Sequence, residues 1–161
     1  MDNKPITRRV FLETSGKTTA GAALLSAPQH ARAQSASDKI VLALIGAGGR
    51  GSGHAMAMAQ LPGVEFKYVC DIWKDRGAGL ITELTNLQKR APERIADMRV
   101  ALDDKDVDAV VIATPEHWHS LATVWACQAG KDVYVEKNPS NSIWEGRKMI
   151  EAARKYQRIV Q

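Results

Sequence analysis

From Lys39 onward the chain repeats one arrangement, a short apolar run followed by a longer stretch with apolar residues at helical spacing. The first run, Lys39 to Ile45, leads into a helix that opens near Gly51, carries Ala55, Met56, Met58 and Ala59, and is ended by Pro62-Gly63. A second strand is expected over Val64 to Cys70, then a helix over Asp75 to Arg90 with Leu80, Ile81, Leu84 and Leu87 along one face. A brief strand at Arg94 to Ala96 and a short helix at Met98 to Leu102 follow. Asp108 to Ala113 reads as the next strand and Ser120 to Gln128 as a helix that Gly130 terminates. Val133 to Glu136 is a strand, and Ser142-Ile143-Trp144-Glu145 has the form of a capping box opening a last helix, whose expected stripe is Ile143, Met149, Ile150, Ala153 and Tyr156. Arg158 to Gln161 reads as the opening of one more strand.

Strands that alternate with helices at this spacing specify an α/β fold with a doubly wound parallel sheet, and their apolar continuity fits burial on both faces. Ligands of such sheets bind outside the carboxyl ends of the strands. At the first of those ends stands Gly46-Ala47-Gly48-Gly49-Arg50-Gly51, and Asp71 closes the next strand twenty residues after the last glycine. A strand, a GxGxxG turn, a helix, a second strand and a terminal acid together form a dinucleotide-binding fingerprint, so the fold is read as a Rossmann domain and the cofactor as NAD. Gly46 permits the turn, Gly48 the close approach of backbone to pyrophosphate, and Gly51 the packing of helix on strand. The helix start directs N–H groups and its positive dipole end at phosphate, with the Gly49 amide and the Arg50 charge at the same mouth. Asp71 is expected to accept from ribose hydroxyls and to repel a 2′-phosphate, while Trp73 and Lys74 just beyond leave NADP open.

The first 33 residues read as an address. Thr7-Arg8-Arg9-Val10-Phe11-Leu12 is a twin-arginine pattern, followed by a mildly apolar stretch and Ala31-Arg32-Ala33 before Gln34, which implies passage through the twin-arginine export machinery, after folding, to the periplasm. Residues 34–38 form a polar linker, and 39–161 the nucleotide-binding domain. The segment 1–33 carries five of the 22 Lys/Arg and two of the 18 Asp/Glu, leaving 17 against 16 in the remainder. The basic character therefore belongs to the leader, and no nucleic-acid partner is expected. Cys70, at a strand end, and Cys127, within a helix, are read as small buried apolar groups rather than a disulfide.

Two further segments fall on the ligand edge. The fourth strand runs into Thr114-Pro115-Glu116-His117-Trp118-His119, and the fifth into Glu136-Lys137-Asn138-Pro139-Ser140. With GAGGRG, DAVVIATPEHWH and AGKDVYVEK in that order, residues from Lys39 to Gln161 resemble the glucose-fructose oxidoreductase, inositol dehydrogenase and rhizopine-catabolism (Gfo/Idh/MocA) family. The resemblance implies a two-domain NAD(P)-dependent oxidoreductase acting on sugars or cyclitols, with this chain the cofactor half, truncated before a second, substrate-binding α+β domain. It implies that Thr114, Pro115 and His119 border the nicotinamide side, and that Glu136 and Lys137 lie beside it, Lys137 being the candidate catalytic residue. A cation that hydrogen-bonds the reacting oxygen stabilises developing carbonyl character and assists proton removal. The family pattern is Glu-Lys-Pro; here Asn138 intervenes, so the restraint that proline places on its predecessor falls on Asn138 instead of Lys137.

The family's remaining acid–base residues belong to its second domain, so this chain alone is expected to be inactive and a sugar or cyclitol partner to require that domain. Any homo-oligomer would belong to the full-length protein, because the second domain usually supplies that surface. His117 and His119 have an H-x-H spacing, but with Glu116 or Cys127 they make no complete zinc set, and no metal is expected. Trp118, Trp125 and Trp144 are read as packing residues. Two other readings stay open at this point: a non-catalytic nucleotide-binding module, and a glycosidase of the same family that uses tightly held NAD for transient oxidation.

Overall fold

A computed structural model describes residues 39–161; the expected signal, 1–33, and linker, 34–38, lie outside the described residues. Five strands form one all-parallel sheet in the order β3-β2-β1-β4-β5. They are β1 (Ile40–Ile45), β2 (Val64–Cys70), β3 (Glu93–Ile95), β4 (Ala109–Ile112) and β5 (Asp132–Val135). The connecting helices are α1 (Gly49–Ala59), α2 (Ala78–Gln88), α3 (Met98–Asp103), α4 (His119–Gln128) and α5 (Ile143–Tyr156), with a single 3-10 turn at Glu116–Trp118. The strand order reverses between β1 and β4, which opens a crevice at their carboxyl ends.

Alternate residues of β1 enter two separate cores. Leu42 and Leu44 pack with Phe66, Val69, Ala55, Leu80 and Leu84 beneath α1 and α2. Ala43 and Ile45 pack with Tyr68, Cys70, Ile112, Ala126 and Val133 on the side of α3, α4 and α5. Beyond Ile40, which is exposed at the start of β1, the apolar strand residues find a core whichever way they point, which is why the strands read as continuous apolar runs. In β2 the alternation is broken: the register with β1 slips between Leu42/Ala43, so Phe66 and Val69 face one core while Tyr68 and Cys70 face the other. Lys67 is the extra residue of this bulge. Its ammonium meets Asp104 at 2.6 Å and Asp106 at 2.9 Å. The Lys67 bond is the main force holding the Asp104 carboxyl down at about 2, and the Tyr68 hydroxyl also donates to it at 2.8 Å.

Element positions follow the sequence pattern, with corrections at the helix ends. α2 starts at Ala78, not Asp75, because Gly77 precedes it in a left-handed conformation (φ 89°), and it stops at Lys89, itself left-handed (φ 61°). Leu80 and Leu84 are buried as expected, but Leu87 is 45 % exposed and lies off the inner face. α4 starts one residue early, at His119, after the 3-10 turn that follows Pro115. At α5 the Ser142 hydroxyl accepts from the Glu145 N–H (3.2 Å), but the Glu145 carboxylate accepts from the Asn141 N–H (2.8 Å) rather than from that of Ser142. The inward stripe of α5 is Met149, Ala152, Ala153 and Tyr156; Ile143, 89 % exposed, and Ile150 lie outside it. Trp144 does not pack either: it is exposed, with the Lys148 ammonium 5.5 Å from its ring. The expected last strand begins as a parallel bridge between Val133 and Val160. There the Val133 N–H donates to Ile159 and the Gln161 N–H to Val133.

The uneven stripe of α2 gives a direct comparison. Leu84→Ala should cost about 2–5 kcal/mol in urea unfolding, through lost burial and a cavity, whereas Leu87→Ala should stay within about 0.5 kcal/mol.

Candidate cofactor site

The glycine turn is shaped by contacts that no side chain could share. Gly46 has φ 96°, and a Cβ there would lie 2.7 Å from the Ala113 carbonyl oxygen at the end of β4. A Cβ on Gly51 would fall 2.0 Å from the carbonyl oxygen of Gly46, so α1 sits directly against the turn. At Gly48 and Gly49, by contrast, a Cβ would meet nothing within 4 Å. Gly46 and Gly51 thus make the turn, while Gly48 and Gly49 leave a cradle beside the first amides of α1, which no side chain caps. That is the setting in which a helix N-terminus accepts phosphate.

Asp71 stands where expected, at the end of β2, and it is buried. One carboxylate oxygen accepts the Ala47 N–H at 3.0 Å and the other the Trp73 N–H at 2.9 Å. The carboxylate therefore braces the glycine turn as well as facing the cleft, and each oxygen keeps a further lone pair for a ribose hydroxyl. The cleft beside it encloses about 640 Å³ and is lined by Gly46, Gly48, Asp71, Thr114 and Pro115 together with Trp73, Arg76, Trp118 and Trp125. The Arg76 guanidinium lies 4.2 Å from the Trp73 ring centroid, so both residues form one wall. Trp118 and Trp125, expected only to pack, also line this cleft, because the turn after β4 brings them to the sheet's carboxyl edge. The Thr114 hydroxyl is buried without a partner among the described residues. An orphaned hydroxyl, an open glycine cradle and an acid at the β2 end all fit a dinucleotide.

His119 lies between the loop after β4 and the loop after β5. Fully buried, it has its Nδ1 2.7 Å from the Asn138 carbonyl oxygen and its Nε2 2.8 Å from that of Thr114. A carbonyl oxygen only accepts, so the one N–H of a neutral ring bonds the loop after β4 or the loop after β5, and the tautomer decides which. Asn138, the residue that departs from the family pattern, ties the same two loops again by donating to Glu116 at 2.9 Å. The Lys137–Asn138 peptide is cis.

Glu136 is the centre of the remaining cluster. Its Oε1 lies 3.0 Å from His54 Nε2 and 3.6 Å from Arg50 Nε, and its Oε2 accepts the Lys137 N–H at 2.7 Å. The His54 bond first, and the Lys137 amide next, hold the Glu136 carboxyl below its ordinary range against desolvation. Lys137 is exposed and follows the end of β5, at the carboxyl edge of the sheet. Cys70 and Cys127 are free and buried; burial, with the Asp71 charge behind it, pushes the Cys70 thiol up to about 12, which makes it inert.

Residues 40–161 match the model of the oxidoreductase family with an NAD-binding Rossmann fold, Gfo/Idh/MocA. The chain belongs to this family. Among curated relatives, an alpha-N-acetylgalactosaminidase from Shewanella oneidensis is 30 % identical over 95 % of the chain, and a glycosyl hydrolase family 109 protein from Shewanella sp. strain MR-4 is 26 % identical over the same share. In both cases the chain spans 38 % of the relative's length. An NAD-binding oxidoreductase from Klebsiella pneumoniae superposes with a TM-score of 0.64 at 28 % identity, over 76 % of this chain and 34 % of that one. The WlbA dehydrogenase from Bordetella pertussis, solved with NADH and UDP-GlcNAcA, shares the fold with a TM-score of 0.64 at 24 % identity, over 76 % of this chain and 35 % of its own. The described residues of this Gfo/Idh/MocA chain are thus an NAD-binding Rossmann domain, with the nucleotide fingerprint in the geometry the sequence implied.

Two contributors escaped the sequence reading. His54 lies one turn beyond Gly51, and Arg76 follows Asp71 and Trp73; the only available signal was their closeness to the fingerprint. The glycines separate folding from binding. Gly51→Ala should abolish cooperative unfolding, because the 2.0 Å overlap is with backbone. Gly53→Ala, in open space, should stabilise α1 by about 0.5–1 kcal/mol. Gly48→Ala should leave the melting transition in place and weaken NAD⁺ binding roughly tenfold in calorimetric titration, by filling the phosphate cradle.

Proposed function

We propose that this chain is the cofactor-binding half of an oxidoreductase that moves a hydride between a sugar or cyclitol carbon and nicotinamide. The observation that carries the reading is the position of Lys137, exposed at the carboxyl edge of β5 and held at its own amide by Glu136. In this reading the amides and glycines of residues 46–51, with Arg50, hold the pyrophosphate, Asp71 the ribose, and Thr114 and Pro115 the nicotinamide side. The bound nicotinamide supplies the hydride acceptor. Lys137 hydrogen-bonds the substrate oxygen at which carbonyl character develops and assists departure of its proton, while the loops fixed by His119 keep that ammonium in place. A sugar substrate is supported by the UDP-GlcNAcA bound to the Bordetella dehydrogenase.

A second reading, a glycosidase working through transient oxidation on NAD, is favoured by one observation: the family 109 and alpha-N-acetylgalactosaminidase relatives match over 95 % of the chain. Both readings place the same residues on the cofactor and differ in net chemistry. Full-length protein should show substrate-dependent change at the reduced-nicotinamide absorbance band and this chain alone none. Lys137→Met in the full-length protein should lower kcat by roughly 10²–10⁴-fold. Release of nitrophenol from a nitrophenyl N-acetylgalactosaminide without net NAD consumption would replace the dehydrogenase reading with the glycosidase one.

We further propose that residues 1–33 direct export of the folded protein to the periplasm, on the strength of the Arg8-Arg9 pair and the Ala31-Arg32-Ala33 site. Replacing both arginines by lysine should keep the protein in the cytoplasmic fraction; periplasmic recovery of that variant would overturn the assignment.

A further inference from the structure

The cluster around Glu136 joins two parts of the site that the chain separates widely. His54 is on α1, the helix that carries the phosphate cradle; Glu136 and Lys137 follow β5, 82 residues on. We propose that His54 is a positioning residue that fixes Lys137 through Glu136 and so couples the cofactor's phosphate end to its nicotinamide end. The proposal rests on the reading of Lys137 as the residue beside the nicotinamide.

Three observations carry it. A carboxylate can only accept, so His54 Nε2–H donates to Glu136 Oε1 across 3.0 Å. The ring's freedom to turn is limited by Tyr134 of β5, which it meets edge to face with centroids 5.2 Å apart. The opposite oxygen of the same carboxylate accepts the Lys137 N–H at 2.7 Å, so the plane of the carboxylate sets the peptide that carries the lysine. Arg50 is the weaker member: its guanidinium is largely exposed and 3.6 Å away, beyond a hydrogen bond, and is free to turn toward an anion in the glycine cradle. Imidazole and carboxylate are both mostly shielded, with side chains 21 % and 15 % exposed, so their bond is little weakened by solvent.

Such a link predicts coupling that a merely space-filling histidine would not give. In ¹⁵N-labelled chain, the Lys137 amide proton should lie downfield and move upfield in both His54→Leu and Glu136→Leu, with His54→Gln, which keeps an N–H donor, restoring most of the shift. NAD⁺ titration should show affinity reduced about fivefold in His54→Leu and no more than about twofold in His54→Gln. In a Glu136→Leu background His54→Leu should have no further effect, because the two act as one unit. An unmoved Lys137 amide, or losses that simply add in the double variant, would overturn the link. Should His54→Leu fail to fold, the Glu136→Leu shift and the Gln comparison decide the same question. Wild-type chain that does not bind NAD⁺ would instead overturn the cofactor reading, while the amide shifts in the unliganded chain would still report on His54.

Discussion

The contact on which the ligand edge depends is the meeting of backbone with backbone at the exit of β1. The peptide of Gly46, the first turn of α1 at Gly51 and the Ala113 carbonyl after β4 lie too close for any intervening methyl. This closeness aims the first turn of α1 across the crevice between β1 and β4, and it places the loop after β4 next to the glycine turn. Asp71 reinforces the same point from the other side by bonding the Ala47 amide. The cradle is thus rigid before anything enters it, so little ordering of the turn opposes binding.

Outward from that centre, the two loops expected to meet the nicotinamide are held by buried polar groups instead of apolar packing. His119 reaches a carbonyl from each loop, and Asn138 adds a side-chain bond to Glu116. Irregular backbone at a sheet edge cannot bond to a neighbouring strand, so a buried imidazole that can donate to a carbonyl of either loop is an efficient fastener. Asn138 is thus held both by Pro139, which restricts its backbone, and by its side-chain bond to Glu116.

The alternation of strand and helix, the parallel sheet and the nucleotide fingerprint were legible because they rest on patterns within a single segment: an apolar run, a glycine spacing, an acid at the next strand's end. What escaped depended on pairs distant in the chain. The approach of His54 to Glu136 joins residues 82 positions apart. The exposure of Leu87, Ile143 and Trp144 reflects how far each helix turns before its neighbours end, which spacing alone does not determine. The helix limits moved where a left-handed residue, Gly77 or Lys89, broke a pattern that periodicity would have continued.

The extra residue at Lys67 has a consequence for the acid at the end of the same strand. Side chains in a strand alternate between two faces, so one inserted residue reverses the phase of everything downstream. Asp71 inherits that reversed phase. Its aim at the glycine turn is therefore determined by parity as well as by distance: counting twenty residues from Gly51 finds the carboxylate, but the slip beside Lys67 decides which side of the sheet it serves. The aim of that carboxylate at the glycine turn is thus decided four residues upstream of it.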